Sequence, residues 1–249
     1  MSFTERFSDR AGDYVSGRPS YPPAALDVLF DGLGDPADVV AADLGAGTGI
    51  SARLLAERGA RVLAVEPNQA MRDAAEPHPR VEWVAARAER TGLHEASTDL
   101  VTAFQAFHWF ERRAALDEIV RILRPAGRAA VISNERDERD PFTAAYGDLV
   151  RTYQTDDTER RRAEGLEAFA AFEAWKDKRH VEVRNEHELD LAGVLARARS
   201  TSYLPKDGAA GTELQAAIRA LVERFGRDGR VTMMMRTIVV ACDIGTAGG

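Results

Sequence analysis

The residues best placed to do chemistry lie in one short stretch, Val39-Val-Ala-Ala-Asp-Leu-Gly-Ala-Gly-Thr-Gly-Ile50. An apolar run ends in Asp43, glycines follow at 45, 47 and 49, and an amphipathic segment rich in Ala and Leu starts at once. That pattern reads as strand, tight turn, helix, the local form of a nucleotide-binding turn. Glycine is needed there because the turn requires positive φ and because a side chain would hold the backbone away from a ligand. A second apolar run, Arg61-Val-Leu-Ala-Val, ends in Glu66. The separation is about that at which such folds place an acidic residue on ribose hydroxyls. Without Glu66, a glycine turn that merely joins a strand to a helix would explain the stretch as well.

The spacing bears on which nucleotide is held. Dinucleotide sites use G-x-G-x-x-G and leave the helix N-terminus to a pyrophosphate, whereas this turn is G-x-G-x-G with Asp43 two residues before the first glycine. A carboxylate facing the ligand would repel phosphates. It would suit a ligand with an ammonium or sulfonium group and no phosphate, a description that fits S-adenosylmethionine. Further on, Phe104-Gln-Ala-Phe-His-Trp-Phe110 closes a strand with an aromatic cluster. His108 within it titrates near neutrality when unperturbed and is the candidate general base; the other reading is that it only shapes an aromatic wall.

Two of these stretches carry a resemblance. Asp43-Leu-Gly-Ala-Gly-Thr-Gly49 resembles the first motif of the class I S-adenosylmethionine-dependent methyltransferases. Phe104 to Phe110 resembles the fourth motif of their small-molecule subgroup, which includes trans-aconitate-type enzymes. The run of Asn or Asp, two prolines and an aromatic that marks nucleobase amine methylation is absent there, which weighs against adenine or glutamine-amide methylation. The resemblance spans Tyr14 to Ser133. It implies an α/β fold with a doubly wound, mostly parallel, seven-stranded Rossmann-like sheet, S-adenosyl-L-methionine as cofactor, and no metal. Contacts to the cofactor would come from Asp43, Gly45, Ala46, Gly47 and Gly49, from Glu66 and Pro67, from Ala88 and Glu89 near the adenine, and from Gln105 and Ala106. An arm similar to Tyr14-Val-Ser-Gly-Arg-Pro-Ser-Tyr21 would lie over it, with Tyr14, Arg18 and Tyr21 near its methionine end and Arg18 able to pair with that carboxylate bidentately.

The elements that must position these residues follow from periodicity. Phe3, Phe7, Tyr14 and Tyr21 among charges suggest a folded N-terminal arm, and Pro22-Pro23 opens a helix with Leu26, Leu29 and Phe30 on one face. Strands are expected at Arg61–Val65, Val81–Val84, Thr98–Ala106 and Arg128–Ser133, with helices after the glycine turn, around Met71 and over Glu111–Leu123. The expected division is an arm and helix over 1–35, a cofactor-binding core over 36–134, a helical lid inserted at 135–180, and completion of the sheet over 181–249. In the lid, Phe142, Tyr146, Leu149 and Tyr153 share one helical face, and Leu166, Phe169, Phe172 and Trp175 another. A sixth strand with a helix start at Val181–Leu191, a helix over Glu213–Phe225 and a last strand over Val231–Asp243 complete the chain. Met233, Met234 and Met235 are read as strand core or pocket packing.

Composition limits the rest. The 249 residues, 45% hydrophobic and 29% charged, fit one large domain with a substantial core. No apolar run approaches membrane-spanning length and the charged N-terminus lacks the apolar core of a signal peptide, so a cytoplasmic protein is expected. The single Cys242 allows no internal disulfide and is read as buried. A net charge of −7 disfavours nucleic acid as a partner. The expected reaction is methyl transfer to an oxygen, nitrogen or carbon nucleophile of a small molecule. A nicotinamide-dependent oxidoreductase and a noncatalytic cofactor-binding or partner-binding protein are the alternatives, and the acceptor and oligomeric state stay open.

Overall fold

The computed structural model describes residues 20–245. Tyr14 and Arg18, with the rest of the expected arm before Ser20, lie outside the described residues. Seven strands are formed: β1 (Val40–Leu44), β2 (Arg61–Val65), β3 (Val81–Val84), β4 (Thr98–Phe104), β5 (Leu123–Arg136), β6 (Trp175–Asp190) and β7 (Arg230–Ile244). They make one sheet in the order β3-β2-β1-β4-β5-β7-β6. Neighbours from β3 to β5 are parallel, and β7 runs antiparallel to both β5 and β6. The sheet is therefore the doubly wound, mostly parallel one expected. Its strand order reverses between β1 and β4, the place where open α/β sheets bind ligands beyond the carboxyl ends of their strands.

Eight α-helices flank it among the described residues: α1 (Pro23–Phe30), α2 (Ile50–Glu57), α3 (Gln69–Asp73), α4 (Arg112–Ile122), α5 (Pro141–Tyr153), α6 (Thr158–Ala171), α7 (Leu191–Ser200) and α8 (Gly208–Phe225). Proline at the first position starts α1, and its buried Leu26, Leu29 and Phe30 join α2 and one sheet face in a first core. The carbonyls at the end of α1 are met by Arg128, whose Nη1 donates to Asp31 O at 2.6 Å and to Leu29 O at 3.1 Å while Nε donates to Asp243 at 2.6 Å. One buried guanidinium so ties α1 to β5 and β7. A second core lies on the other face under α4 and α6, where Phe107 meets Phe169 edge to face and Phe169 packs at a tilt on Trp175. A third joins α5, α7 and α8 to Leu189, Val231, Met233 and Met235 at the ends of β6 and β7. Cys242 is fully buried, and burial pushes its thiol up to about 11. No helix among the described residues is long and apolar enough to cross a membrane.

Three expectations change. The two helices of the expected lid part company: α5 enters the third core, whereas α6 packs against the turn Phe107–Trp109 that follows β4. Strand β6 begins at Trp175, not Val181, so Trp175 is a strand residue and its indole N–H donates to Phe169 O at 2.8 Å. The reason is that β6 is an edge strand whose charged, alternating residues lack the apolar signal of a buried strand. Finally α7 is a full helix and α8 begins at Gly208; together they roof the carboxyl end of the sheet with α5.

Because Phe169 is fully buried and holds Phe107 at 5.5 Å, Phe169→Ala should cost about 3–5 kcal/mol of stability. Urea unfolding followed by circular dichroism measures it. A loss below 1 kcal/mol would show that α6 does not hold the turn after β4.

Candidate active site

The crevice at the strand reversal is built first by β1. It delivers Leu44 into the turn, where Gly45 N–H donates to Val65 O at 2.8 Å and Ala46 N–H reaches the same oxygen at 3.2 Å. Gly45 has φ 69°, and a Cβ there would lie 2.7 Å from Ala106 Cβ and 3.2 Å from the Phe110 ring. A Cβ on Gly49, at φ 81°, would meet the Trp83 ring at 2.9 Å. The glycines are required by two close approaches, one across the crevice and one to β3. Gly47 leaves its N–H to Glu66.

Glu66 directly follows β2. Its Oε2 accepts from Gly47 N–H at 3.0 Å and its Oε1 from Asn68 N–H at 2.8 Å, which fixes the carboxylate beside the turn. Burial raises its pKa, against which the two backbone N–H groups favour the charged form. A carboxylate has about four lone-pair sites, and two are used here, so acceptors remain for a pair of hydroxyls. Thr48 Oγ1 is buried in the same turn with no hydrogen-bond partner among the described residues.

Asp43 departs from expectation. Its carboxylate is fully buried beneath the turn, with Ser51 Oγ donating to Oδ2 at 2.6 Å and Thr102 Oγ1 to Oδ1 at 2.9 Å. It braces β1 against α2 and β4 and does not face a ligand, so the argument that its charge turns phosphates away fails. The first turn of α2 carries Ser51 back over the strand end and thereby encloses the carboxylate. Burial pushes its pKa from 3.8 to about 7.

Strand β4 supplies the opposite wall. Gln105 adopts φ 53°, a left-handed conformation rarely taken by a non-glycine residue. It is held there by three bonds to β5: its N–H donates to Ile132 O at 2.8 Å, its Nε2 to Asn134 O at 2.9 Å, and its Oε1 accepts from Ser133 at 3.3 Å. The chain thus turns so that Ala106 closes on Gly45 and His108 enters the wall of a neighbouring cleft. The His108 ring lies 4.7 Å from that of Trp109, over which Arg161 stacks. Of the other expected cofactor residues, Tyr21 meets Phe104 edge-on at 4.7 Å at the end of β4, Pro67 is exposed beside Glu66, and Ala88 is buried in the second core. Glu89 Oε1 accepts Glu111 N–H at 2.8 Å, ahead of α4.

Sequence reasoning missed the cleft itself. It encloses about 730 Å³, solvent at its mouth included, between the ends of β4, β5 and β7 and the roof of α5, α6 and α7. Gln105, His108 and Trp109 line one side, and Asn134, Glu135, Arg136, Tyr146, Arg162, Arg197, Tyr203 and Met235 the others. Arg136 donates to Glu159 at 2.6 Å, Tyr203 Oη to the same carboxylate at 3.2 Å, and Arg162 lies 3.3 Å from Glu135. Arg162 Nε is buried with no hydrogen-bond partner among the described residues. The signal available in the sequence is the density of Arg after residue 135.

With this geometry in place, the comparisons with known proteins are informative. Residues 42–131 match the model of a family described as "Methyltransferase domain". This stretch is similar to a methyltransferase domain. An uncharacterized methyltransferase of Mycobacterium tuberculosis is 39% identical over 145 residues, 58% of this chain and 58% of that one, so the match spans little more than half the relative's length. A structure from Anaeromyxobacter dehalogenans, described as a type II methyltransferase, superposes with TM-score 0.63 at 27% identity and covers 92% of this chain and 97% of that one. A phosphoethanolamine N-methyltransferase 2 of Haemonchus contortus, solved with S-adenosyl-L-methionine, shares the fold at TM-score 0.56 and 16% identity, over 99% of this chain and 60% of that one. The matched methyltransferase core holds β1 to β4, the glycine turn, Glu66 and His108, and ends inside β5.

The Asp43 carboxyl gives a pH test. Folded protein holds its proton between 3.8 and about 7 while the unfolded chain has released it, so stability falls as pH rises through that window. Asp43→Asn keeps partners for Ser51 and Thr102 and should flatten the fall in melting temperature across it. Identical slopes in the two proteins would show the carboxylate ionised throughout.

Proposed function

We propose that the protein is an S-adenosylmethionine-dependent methyltransferase acting on a small polar molecule that carries an anionic group. The observation that carries the cofactor half is the Glu66 carboxylate, fixed by Gly47 and Asn68 N–H beside a glycine cradle at the strand reversal. Glu66 fits a ribose diol, and the buried Thr48 hydroxyl offers a further partner. When bound, S-adenosylmethionine supplies an electrophilic methyl group. The chain's own contribution is to align an acceptor with it and keep water out.

The acceptor half rests on the cleft. Arg136, Arg162 and Arg197 line it, against the carboxylates of Glu135 and Glu159, and Arg162 keeps a buried Nε that a ligand oxygen would satisfy. Planar guanidiniums match carboxylate and phosphate geometry, so an acceptor bearing such a group is favoured. Gln105 and His108 belong to the cleft wall, and Ala106 between them belongs to the cofactor crevice, so the two sites adjoin within the four residues 105–108. This adjacency supports His108 as the proposed general base toward an acceptor hydroxyl or amine.

Two measurements test this reading. Titration calorimetry should show S-adenosylmethionine binding that Glu66→Ala weakens by about 1.5–3 kcal/mol, the worth of hydrogen bonds to a charged group. Tight binding of NAD in its place would overturn the cofactor assignment. Screening acidic metabolites for methyl transfer should then find an acceptor for which Arg162→Met raises KM, and for which His108→Gln lowers kcat by roughly 10² to 10⁴ with cofactor affinity kept. Normal turnover in the His108 variant would leave that residue a wall of the cleft.

A further inference from the structure

Strand β6 forms the edge of the sheet, and among the described residues no strand pairs with its outer side. It runs for 16 residues, far beyond the roughly five or six of an ordinary strand. Edge strands are usually kept short, interrupted by proline or bent by a bulge, because their unpaired N–H and C=O groups invite another chain. Here there is no proline between Trp175 and Asp190, and the bulge lies at the start, between Lys176 and Arg179. From Arg179 to Asp190 the register with β7 is unbroken, so a long regular edge has no strand beside it among the described residues.

Its exposed face is charged in an ordered way. Lys178, beside the bulge, and His180, Glu182, Arg184, Glu186 and Glu188 are all exposed, and from His180 on they alternate with half-buried residues of the opposite face. We propose that β6 pairs antiparallel with β6 of a second copy of this chain, about a two-fold axis at Val183, to give a continuous sheet across a symmetric dimer. In that register Lys178 lies opposite Glu188, His180 opposite Glu186 and Glu182 opposite Arg184, each pair occurring twice. Every acidic residue among them then faces a basic residue or a histidine.

No neighbouring register does this. Moving the axis to Arg184 sets that residue against itself and Glu182 against Glu186. Moving it to Glu182 sets Glu182 against itself and His180 against Arg184. A slip that brings Val183 opposite a charged neighbour turns one strand's buried face to the other's exposed one. Parallel pairing in register lays each charge on its own copy. Within the chain Arg184 already stands across from Arg236 on β7, a like-charge pair that a second copy's Glu182 would relieve from the free side. Glu182 meets Arg236 at 2.9 Å and Arg184 meets Glu186 at 2.7 Å, so the incoming charges extend an existing ladder.

The test uses the full chain. Sedimentation equilibrium should give twice the 27.2 kDa of the chain. Glu182→Arg and Arg184→Glu should each weaken the dimer roughly tenfold or more, since each turns two attractive cross-strand pairs repulsive, and the double exchange should restore it. Residues directly opposite on antiparallel strands have Cα atoms about 4.5–5.5 Å apart, within disulfide range. Val183→Cys should therefore give a disulfide-linked dimer under mild oxidation, whereas Val181→Cys, which would face Asn185, should not. A wild-type monomer at all concentrations would overturn the proposal, whether because the edge stays bare or because the chain's own residues 1–19 cover it. So would a double exchange that fails to restore association, or cross-linking through residue 181 as readily as through 183.

Discussion

The site depends on one steric constraint: two strand ends must pass within van der Waals contact where the order of the sheet reverses. The chain leaving β1 turns one way and the chain leaving β4 the other, and Gly45 and Ala106 meet between them, with room for no Cβ on residue 45. The neighbouring features secure that approach. Asp43 fastens the end of β1 to α2 and β4 through Ser51 and Thr102, and Gln105 is held in a left-handed conformation by three bonds to β5. A strained residue costs on the order of 1–3 kcal/mol and persists only where its surroundings over-determine it. Here the strain places Ala106 against the turn and brings His108 and Trp109 to the wall of the cleft.

The two acidic residues beneath and beside the turn are held by donors of different kinds, and the difference divides their work. Asp43 is met by two hydroxyls, which can donate to a carboxylate or accept from a carboxylic acid. Its bracing role therefore survives a change of protonation, in keeping with a carboxyl pushed up to about 7 by burial and, to a smaller degree, by the charge of Glu66. Glu66 is met by two backbone N–H groups, which can only donate. Those bonds require acceptor oxygens and favour the ionised form, which is the form that can take up ligand hydroxyls.

The parts of this arrangement that were legible in the sequence are those in which local pattern and chemistry coincide. Parallel strands buried on both faces appear as short apolar runs, and their carboxyl ends appear as Asp43, Glu66 and the 104–110 aromatic cluster. What the sequence could not convey was direction. Asp43 has the right type at the right position, but whether its carboxylate faces a ligand or the core is settled by the path of α2 and the hydroxyl of Ser51. The sequence marks β6 only from Val181, because the charged stretch before it has no apolar alternation to read. The cleft was missed because its walls come from six separated segments, each of which looks locally like an ordinary polar helix face or strand end.

That separation also explains where the family pattern stops. The matched domain closes at residue 131, before β5 reaches Asn134, Glu135 and Arg136, and before any part of α5, α6, α7 or β7. The cofactor crevice depends on backbone approaches and on one carboxylate, features that tolerate little change, so they lie in the part with a recognisable pattern. The cleft depends on which side chains a roof of helices presents, and such a surface can vary while the sheet beneath stays fixed. Burial alone would disfavour the charge of the arginines there, but Glu159 beside Arg136, and Glu135 with Tyr203 beside Arg162, raise both guanidinium pKa values, so the cations persist in the cleft. Arg162 Nε has no hydrogen-bond partner among the described residues, so an acidic ligand group would meet a charged donor still open to it, and the residues that hold the cleft's charge are those that would select what fills it.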